Sequence, residues 1–502
     1  MSVPANNSEP PAAPPQPLSL AEAIIPIAAL IVLVALSFLL FGDAGALGPN
    51  QVALTIATMI AVFVAWRRGH GLDSLREAAI ASVGTGIGAI FILFMVGALI
   101  GTWAMSGTLI AMVYYGLQLL SPNYFYVTVC LICGIVSASI GSSWTVAGTI
   151  GIGFMGIAQN MDLSPAITAG AIISGAYFGD TTSPLSDSAN LASAAGGVDL
   201  YRHVRETLLT SAPALLIALV VFYFFGRPGD FDASAKIAAI RGVFDISPWL
   251  FLPLAVVIVM AVFRFSPLTT IFTGALVGGV LAAVVAPARV IAYAGIDPGT
   301  WGGVGIVKGV WLALADGYKS TTGIEAIDRL VTRGGMASML NTVWLIITAL
   351  AFGGVVEKAG VLERLMTPIV EKAKSVGRLV TMLVASVFGT NVVTADQYIA
   401  IVLPGRMFKA AFDKRGLPPH VLSRTIGASG TPTSAIVPWN SCGAYMAATL
   451  GVATLSYAPF AVFSVVSPLL AIAVAYLGIR TPRGAGTVAP GDAPQGNRPT
   501  GS

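Results

Sequence analysis

The chain has 502 residues, 56% of them hydrophobic and only 10% charged, with a mean hydropathy of +0.83. Soluble domains carry roughly 25% charged residues, so the composition excludes an ordinary soluble protein and predicts an all-α polytopic membrane protein. A formal charge of +4 is too small and too scattered for a nucleic-acid binder, and three cysteines in apolar surroundings offer no disulfide framework.

Residues 1–19, rich in Pro, Ala, Asn and Ser, are expected to form a disordered N-terminal tail. A first series of apolar segments follows near 22–41, 51–66, 84–104, 106–120, 124–140, 144–158, 165–180 and 207–226, predicting a first repeat over 20–226. Residues 227–247 read as a mixed-charge linker. A second series lies near 248–264, 268–286, 338–357, 378–394, 396–411, 419–436, 438–452 and 458–479, predicting a second repeat over 248–480. Within it, 289–337 is a long amphipathic loop expected at the interface or beneath the second half, and 481–502 is expected to be a disordered tail. Several segments are short or Gly/Pro-interrupted, so about 11–13 spans are expected. Arg67-Arg68 after the second segment places the N-terminus and the 67–78 loop in the cytoplasm. Cys130 and Cys133, in an apolar run, read as small packing residues, and Gly84-x-Gly86-x-Gly88 as close helix packing.

Inside this apolar chain, Gly179-Asp180-Thr181-Thr182-Ser183-Pro184-Leu185-Ser186-Asp187-Ser188-Ala189-Asn190 collects two carboxylates, an amide and five hydroxyls. An ionised Asp at the centre of a membrane costs roughly 2.5–3.5 kcal/mol on insertion scales, so such residues mark ion or proton pathways. Pro184 interrupts any helix there, and the freed carbonyls need protein, water or an ion as partner. Asp187 and Asn190 are three apart and can share a helix face; the bland alternative is that Asp187 merely caps the helix after Pro184.

The second half has its own polar breaks. Thr390-Asn391 and Thr394 precede a third carboxylate, Asp396, whose bland reading is an acid paired with Arg406. Ser429-Gly430-Thr431-Pro432-Thr433 leads to Pro438-Trp439-Asn440 without any charge. Pro165 and Pro419 are 254 apart, as are Pro184 and Pro438 (419 − 165; 438 − 184). Paired halves with interrupted segments at matching places point to a secondary transporter with its site at the repeat interface. Thr181, Ser183, Ser186, Thr390, Thr394, Thr431 and Thr433 are candidate supporting oxygens, although Ser and Thr commonly serve as interhelical glue. Pro184, Pro432 and Pro438 are the predicted helix breaks. Glu206 reads as an acid at a segment end, and His70 and His420 as loop residues.

On these residues the chain resembles the NhaC-type Na+/H+ antiporter family of the ion-transporter superfamily. The resemblance rests on Gly179-Asp180 with Ser183-Pro184-Leu185-Ser186-Asp187 and Asn190-Leu191-Ala192, and on Arg333-Gly334-Gly335-Met336. It continues through Ala351 to Lys358, Asp396-Gln397-Tyr398 with Pro404-Gly405-Arg406, Ser423-Arg424-Thr425 and Val437-Pro438-Trp439-Asn440-Ser441-Cys442-Gly443. It implies inverted rather than parallel repeats, and a multi-pass protein of the cell membrane.

The expected activity is extrusion of cytoplasmic Na+ against external H+ by alternating access. Burial disfavours a charged carboxylate and a bound cation favours it, so one group holds either a proton or Na+. Asp180 and Asp187 are the expected Na+ and proton ligands; Asn190, Asp396, Asn391 and Asn440 are expected to complete the ion and proton site. No cofactor is expected; the partners are Na+ and H+ as cargo and the lipid bilayer, with a homodimer left open. The family also contains malate/lactate antiporters, so Na+/H+-coupled organic acid exchange is the alternative. An intramembrane enzyme finds no support in an HExxH helix or a GxSxG elbow.

Overall fold

The computed structural model describes residues 15–226, 233–296, 302–321, 328, 331–371 and 375–480. Most of both expected tails, 1–14 and 481–502, and part of the 227–247 linker lie outside the described residues. The described end of the N-terminal segment is anchored. Leu18 is buried, Ser19 and Glu22 form a reciprocal capping box, and Glu22 pairs with Arg68.

Among the described residues the regular structure is helical. The helices that bear on the site are α1 (Leu20–Phe41), α2 (Pro49–Arg67), α3 (Ile87–Ser106), α4 (Phe125–Ile140), the single turn α5 (Ser143–Val146), α6 (Pro165–Thr182), α7 (Asp187–Gly196) and α8 (Leu200–Phe225). The second half contributes α9 (Pro267–Val285), α10 (Leu340–Lys358), α11 (Val376–Thr394), α12 (Gln397–Asp413), α13 (Pro419–Ser434), α14 (Ser441–Leu450) and α15 (Val462–Leu477). Helices α1, α2, α3, α8, α9, α10 and α11 are each long and apolar enough to cross a bilayer. An eighth span arises if Thr454–Phe460 and α15, bent by 54°, count as one. By length and composition the described residues therefore hold seven or eight of the 11–13 expected spans, with shorter apolar helices at Thr108–Leu119, Phe125–Ile140 and Pro248–Val262.

Helix ends recur along the chain with one shift. Asp187 and Ser441 both open helices, Gly196 and Leu450 both close them, and each pair is 254 apart (441 − 187; 450 − 196). The left-handed residues Gly141, Asp162 and Gly197 have left-handed counterparts at Ala395, Gly416 and Gly451, at the same spacing. The helix α8, ~39 Å long at 1.5 Å per residue, separates the two proline starts. Near its beginning Arg202 bonds His420 at the start of α13 (3.2 Å). At its end Phe225 meets the Phe460 ring, whose backbone abuts Gly170 early in α6. Helices α6 and α13 therefore start from opposite ends of the molecule.

Residues 302–316 of the expected amphipathic loop form a helix, and it packs on the first half. A side chain on Gly101 of α3 would meet the Ala313 carbonyl at 2.1 Å. Trp103 of α3 also donates from its indole to the Gly274 carbonyl of α9 (3.1 Å).

Candidate functional site

The first break is built on two helices that touch backbone to backbone. A Cβ on Gly175 would lie 2.1 Å from the Cys130 carbonyl, and one on Gly179 would lie 2.3 Å from the Ala138 nitrogen. Helix α4 then ends at Gly141, whose φ of +80° suits glycine and whose Cα faces Leu185 of the break. Ser142 caps α5 by accepting from the Thr145 N–H (3.2 Å). That turn brings Ser143 to Asp180.

Asp180 is 8% exposed and accepts from four donors. Its Oδ2 receives the Ser143 hydroxyl at 2.6 Å and the Ser143 N–H at 3.3 Å. Its Oδ1 receives the Ser186 hydroxyl in a short hydrogen bond and the Ser188 hydroxyl at 3.1 Å. Ser183, at the end of α6, donates to the Ala138 carbonyl (2.8 Å) and pins the break to α4. A buried polar group is costly unless bonded, and each oxygen of this carboxylate accepts from two donors.

A cavity of about 680 Å³ opens beside it, lined by Asp180, Asp187, Asn190, Asp396, Gln397 and Tyr398 among others. Asp187 opens α7 with its side chain exposed to this space, and Asn190 on the next turn donates to the Ser186 carbonyl (2.8 Å). Asp396 is 5% exposed and caps α12, its Oδ1 accepting from the Ile399 N–H at 2.9 Å. Arg406 is exposed and ~15 Å further along α12; among the described residues it makes no ion pair with Asp396. Arg264, between α9 and the preceding helix, is the basic residue on the cavity wall.

The second break is closed by amides. Asn391 donates to the Gly430 carbonyl (2.8 Å) and the Thr433 hydroxyl (3.0 Å). Asn440 donates to the Asn391 carbonyl and side-chain oxygen (3.1 Å each) and caps α14 by accepting from the Cys442 N–H (3.0 Å). Both amides are fully buried and line the break, away from the cavity wall. Pro432 cannot bond the Ala428 carbonyl, and Ser467 donates to it instead (2.9 Å). Pro438 lies in the turn between α13 and α14. Thr181, Thr390, Thr394 and Thr433 each donate to the carbonyl one turn earlier in their own helices, and Thr431 is buried in α13.

The structure thus brings Asp180, Asp187, Asn190, Pro184 and Asp396 to one cavity, with Ser186 bonded behind it. Ser188, Gln397 and Tyr398 join them without having been expected, and Ser143 bonds Asp180 from outside the cavity wall. Gln397 accepts from Ser434 (2.9 Å) and from the Cys442 thiol (3.0 Å). Ser143 lies 254 residues before Gln397 (397 − 143), so the proline spacing carried across the chain would have found it. Two expectations need correction. Glu206 is buried and shared between Arg480 (3.1 Å) and Arg424 (3.7 Å), since its helix face turns inward. His420 is in the first turn of α13, buried, rather than in a loop.

A family model described as the Na+/H+ antiporter family matches residues 175–479. The chain is 38% identical to the Na(+)/H(+) antiporter NhaC of Alkalihalophilus pseudofirmus, over 86% of this chain and 90% of that protein. It is 35% identical to the Malate-2H(+)/Na(+)-lactate antiporter of Bacillus subtilis, over 92% of this chain and 95% of that one. The Na(+)/H(+) antiporter NhaC of the same organism is 32% identical over 86% of this chain and 92% of its own length.

Proposed function

The chain belongs to the Na+/H+ antiporter family, and from that premise we propose that it extrudes cytoplasmic Na+ in exchange for external H+ through the cavity lined by Asp180, Asp187 and Asp396. It is a multi-pass protein of the cell membrane. One observation carries the assignment of the site: carboxylates from both halves line a single cavity beside the two broken helices.

Asp180 is the group for which Na+ and H+ compete. The hydroxyls of Ser143, Ser186 and Ser188 donate to its carboxylate. A hydroxyl can rotate its hydrogen away and offer a lone pair, so the same three oxygens serve as neutral ligands once Na+ arrives. Protonation of Asp180 removes the charge that holds Na+, and Na+ binding displaces the proton. Asp187 stands at the entrance, where its exposed carboxylate draws the cation in, and Asp396 supplies a second acid from the opposite half.

We read the chain as two inverted repeats, 20–226 and 248–480. The common spacing of 254 supports two repeats, and the opposed starts of α6 and α13 support the inversion. Inverted halves can exchange conformations about a central site, which is alternating access.

Everted membrane vesicles with a pH-sensitive dye test this. NaCl alone should dissipate an imposed proton gradient. A response that requires malate or lactate and is lost in Arg264→Gln would instead assign the cavity to an organic acid.

A further inference from the structure

A second cavity, of about 560 Å³, lies away from the ion path and is lined by Tyr201, Arg202, Arg205, Glu206 and Arg480. It sits at the first two turns of the spanning helix α8 and just past the end of α15, the level at which a bilayer presents its headgroups. We propose that this cavity holds the phosphate of an anionic phospholipid headgroup.

Charge is the first reason. Glu206 is the acid on the cavity wall, and it is shared between Arg480 and the buried Arg424. Arg202 reaches His420 through one nitrogen, and Arg205 makes no ion pair among the described residues. The carboxylate of Asp199 is spent on the Tyr201 and Arg202 N–H groups (3.1 Å each). Three wall guanidiniums, Arg202, Arg205 and Arg480, against one wall carboxylate leave a positive excess.

Position is the second. Arg202 and Arg205 are in the opening turns of α8, where the helix dipole is already positive and basic side chains are disfavoured. An anion beside them offsets both charges, and guanidinium forks match phosphate oxygens in pairs. The surroundings favour a lipid over a free anion. Tyr201, Tyr476 and Ile479, exposed by 73%, 60% and 42%, present apolar surface for acyl chains next to the arginines.

The purified full-length chain would be offered phosphatidylglycerol or phosphatidylcholine at equal concentration, and retained lipid read by native mass spectrometry. Wild type should retain phosphatidylglycerol by at least about tenfold over phosphatidylcholine. Arg202→Gln/Arg205→Gln should lower that retention by about fivefold or more, whereas Arg76→Gln/Lys308→Gln, two exposed charges outside the cavity, should leave it within about twofold. Millimolar inorganic phosphate should not displace the lipid. Equal retention of the two lipids, equal loss in both double variants, or no loss in Arg202→Gln/Arg205→Gln would overturn the proposal. Displacement by phosphate would overturn the lipid assignment in favour of a free anion. If the double variant does not fold, the single Arg205→Gln, exposed and outside any ion pair, decides by the same readout.

Discussion

Between Thr182 and Asp187 the first break surrounds a buried carboxylate with three serine hydroxyls, while between Ser434 and Ser441 the second closes on itself through Asn391, Asn440 and Thr433. The helices that follow the two breaks match, opening at Asp187 and Ser441 and ending before left-handed Gly197 and Gly451. Their chemistry differs. A carboxylate with hydroxyl partners can change occupant, because each hydroxyl can reverse its hydrogen bond. The Asn391 and Asn440 amides instead bind one another and the break's own groups, which supports a proposal that the second break frames the first.

That contrast can be broken by substitution. Asp180→Asn should have the largest effect, reducing Na+-driven proton flux roughly 100-fold, the equivalent of losing a charged ligand worth ~3 kcal/mol. Normal exchange in this variant would remove Asp180 from the site. Asp396→Asn should lose roughly tenfold in the same vesicle assay, with the apparent Na+ affinity weakened.

Asn391→Ala and Asn440→Ala sharpen the comparison from the other side. Each leaves buried backbone groups unpaired and should lower stability by about 1–3 kcal/mol, visible as a lower melting midpoint in detergent. The apparent Na+ affinity of the folded fraction should stay at the wild-type value; a large affinity change would make these amides ion ligands after all. Ser143→Ala and Ser188→Ala should be milder, weakening apparent Na+ affinity by roughly 3–10-fold for a net loss of ~1 kcal/mol each. The smallest effect is expected at His70, in the loop after α2. Burial and the nearby Lys358 hold its imidazole below the ordinary value, so it is already neutral at pH 7 and above. His70→Asn should leave the pH profile of exchange unmoved there; a displaced profile would make His70 a sensor.

Much of this arrangement was legible in the sequence, for a definite reason. A carboxylate in an apolar run is costly, so Asp180, Asp187 and Asp396 stand out by charge alone. Pro184, Pro432 and Pro438 stand out because they break helices. Ser143 and Ser188 did not, since serine is ordinary in membrane helices and only the packing of α5 and α7 around Asp180 gives them a partner. The Asn391 and Asn440 amides were conspicuous, but their hydrogens go to carbonyl and hydroxyl oxygens that only the folded break presents. Glu206 looked like a solvated end because Arg424 and Arg480 are more than 200 residues away in the chain.

Helices α4 and α6 meet through Gly175 and Gly179 with no side chain between them, which makes the pair one strut. When the protein opens toward either side of the bilayer, Ser137, Ala138 and Asp180 must travel as a unit, and Ser143 rides on the same strut through the Gly141 turn. Half of the carboxylate's shell is therefore permanent. Ser186 and Ser188 reach the carboxylate from the other side of Pro184, so in the proposed exchange α7 is the element whose displacement from that strut would open the shell.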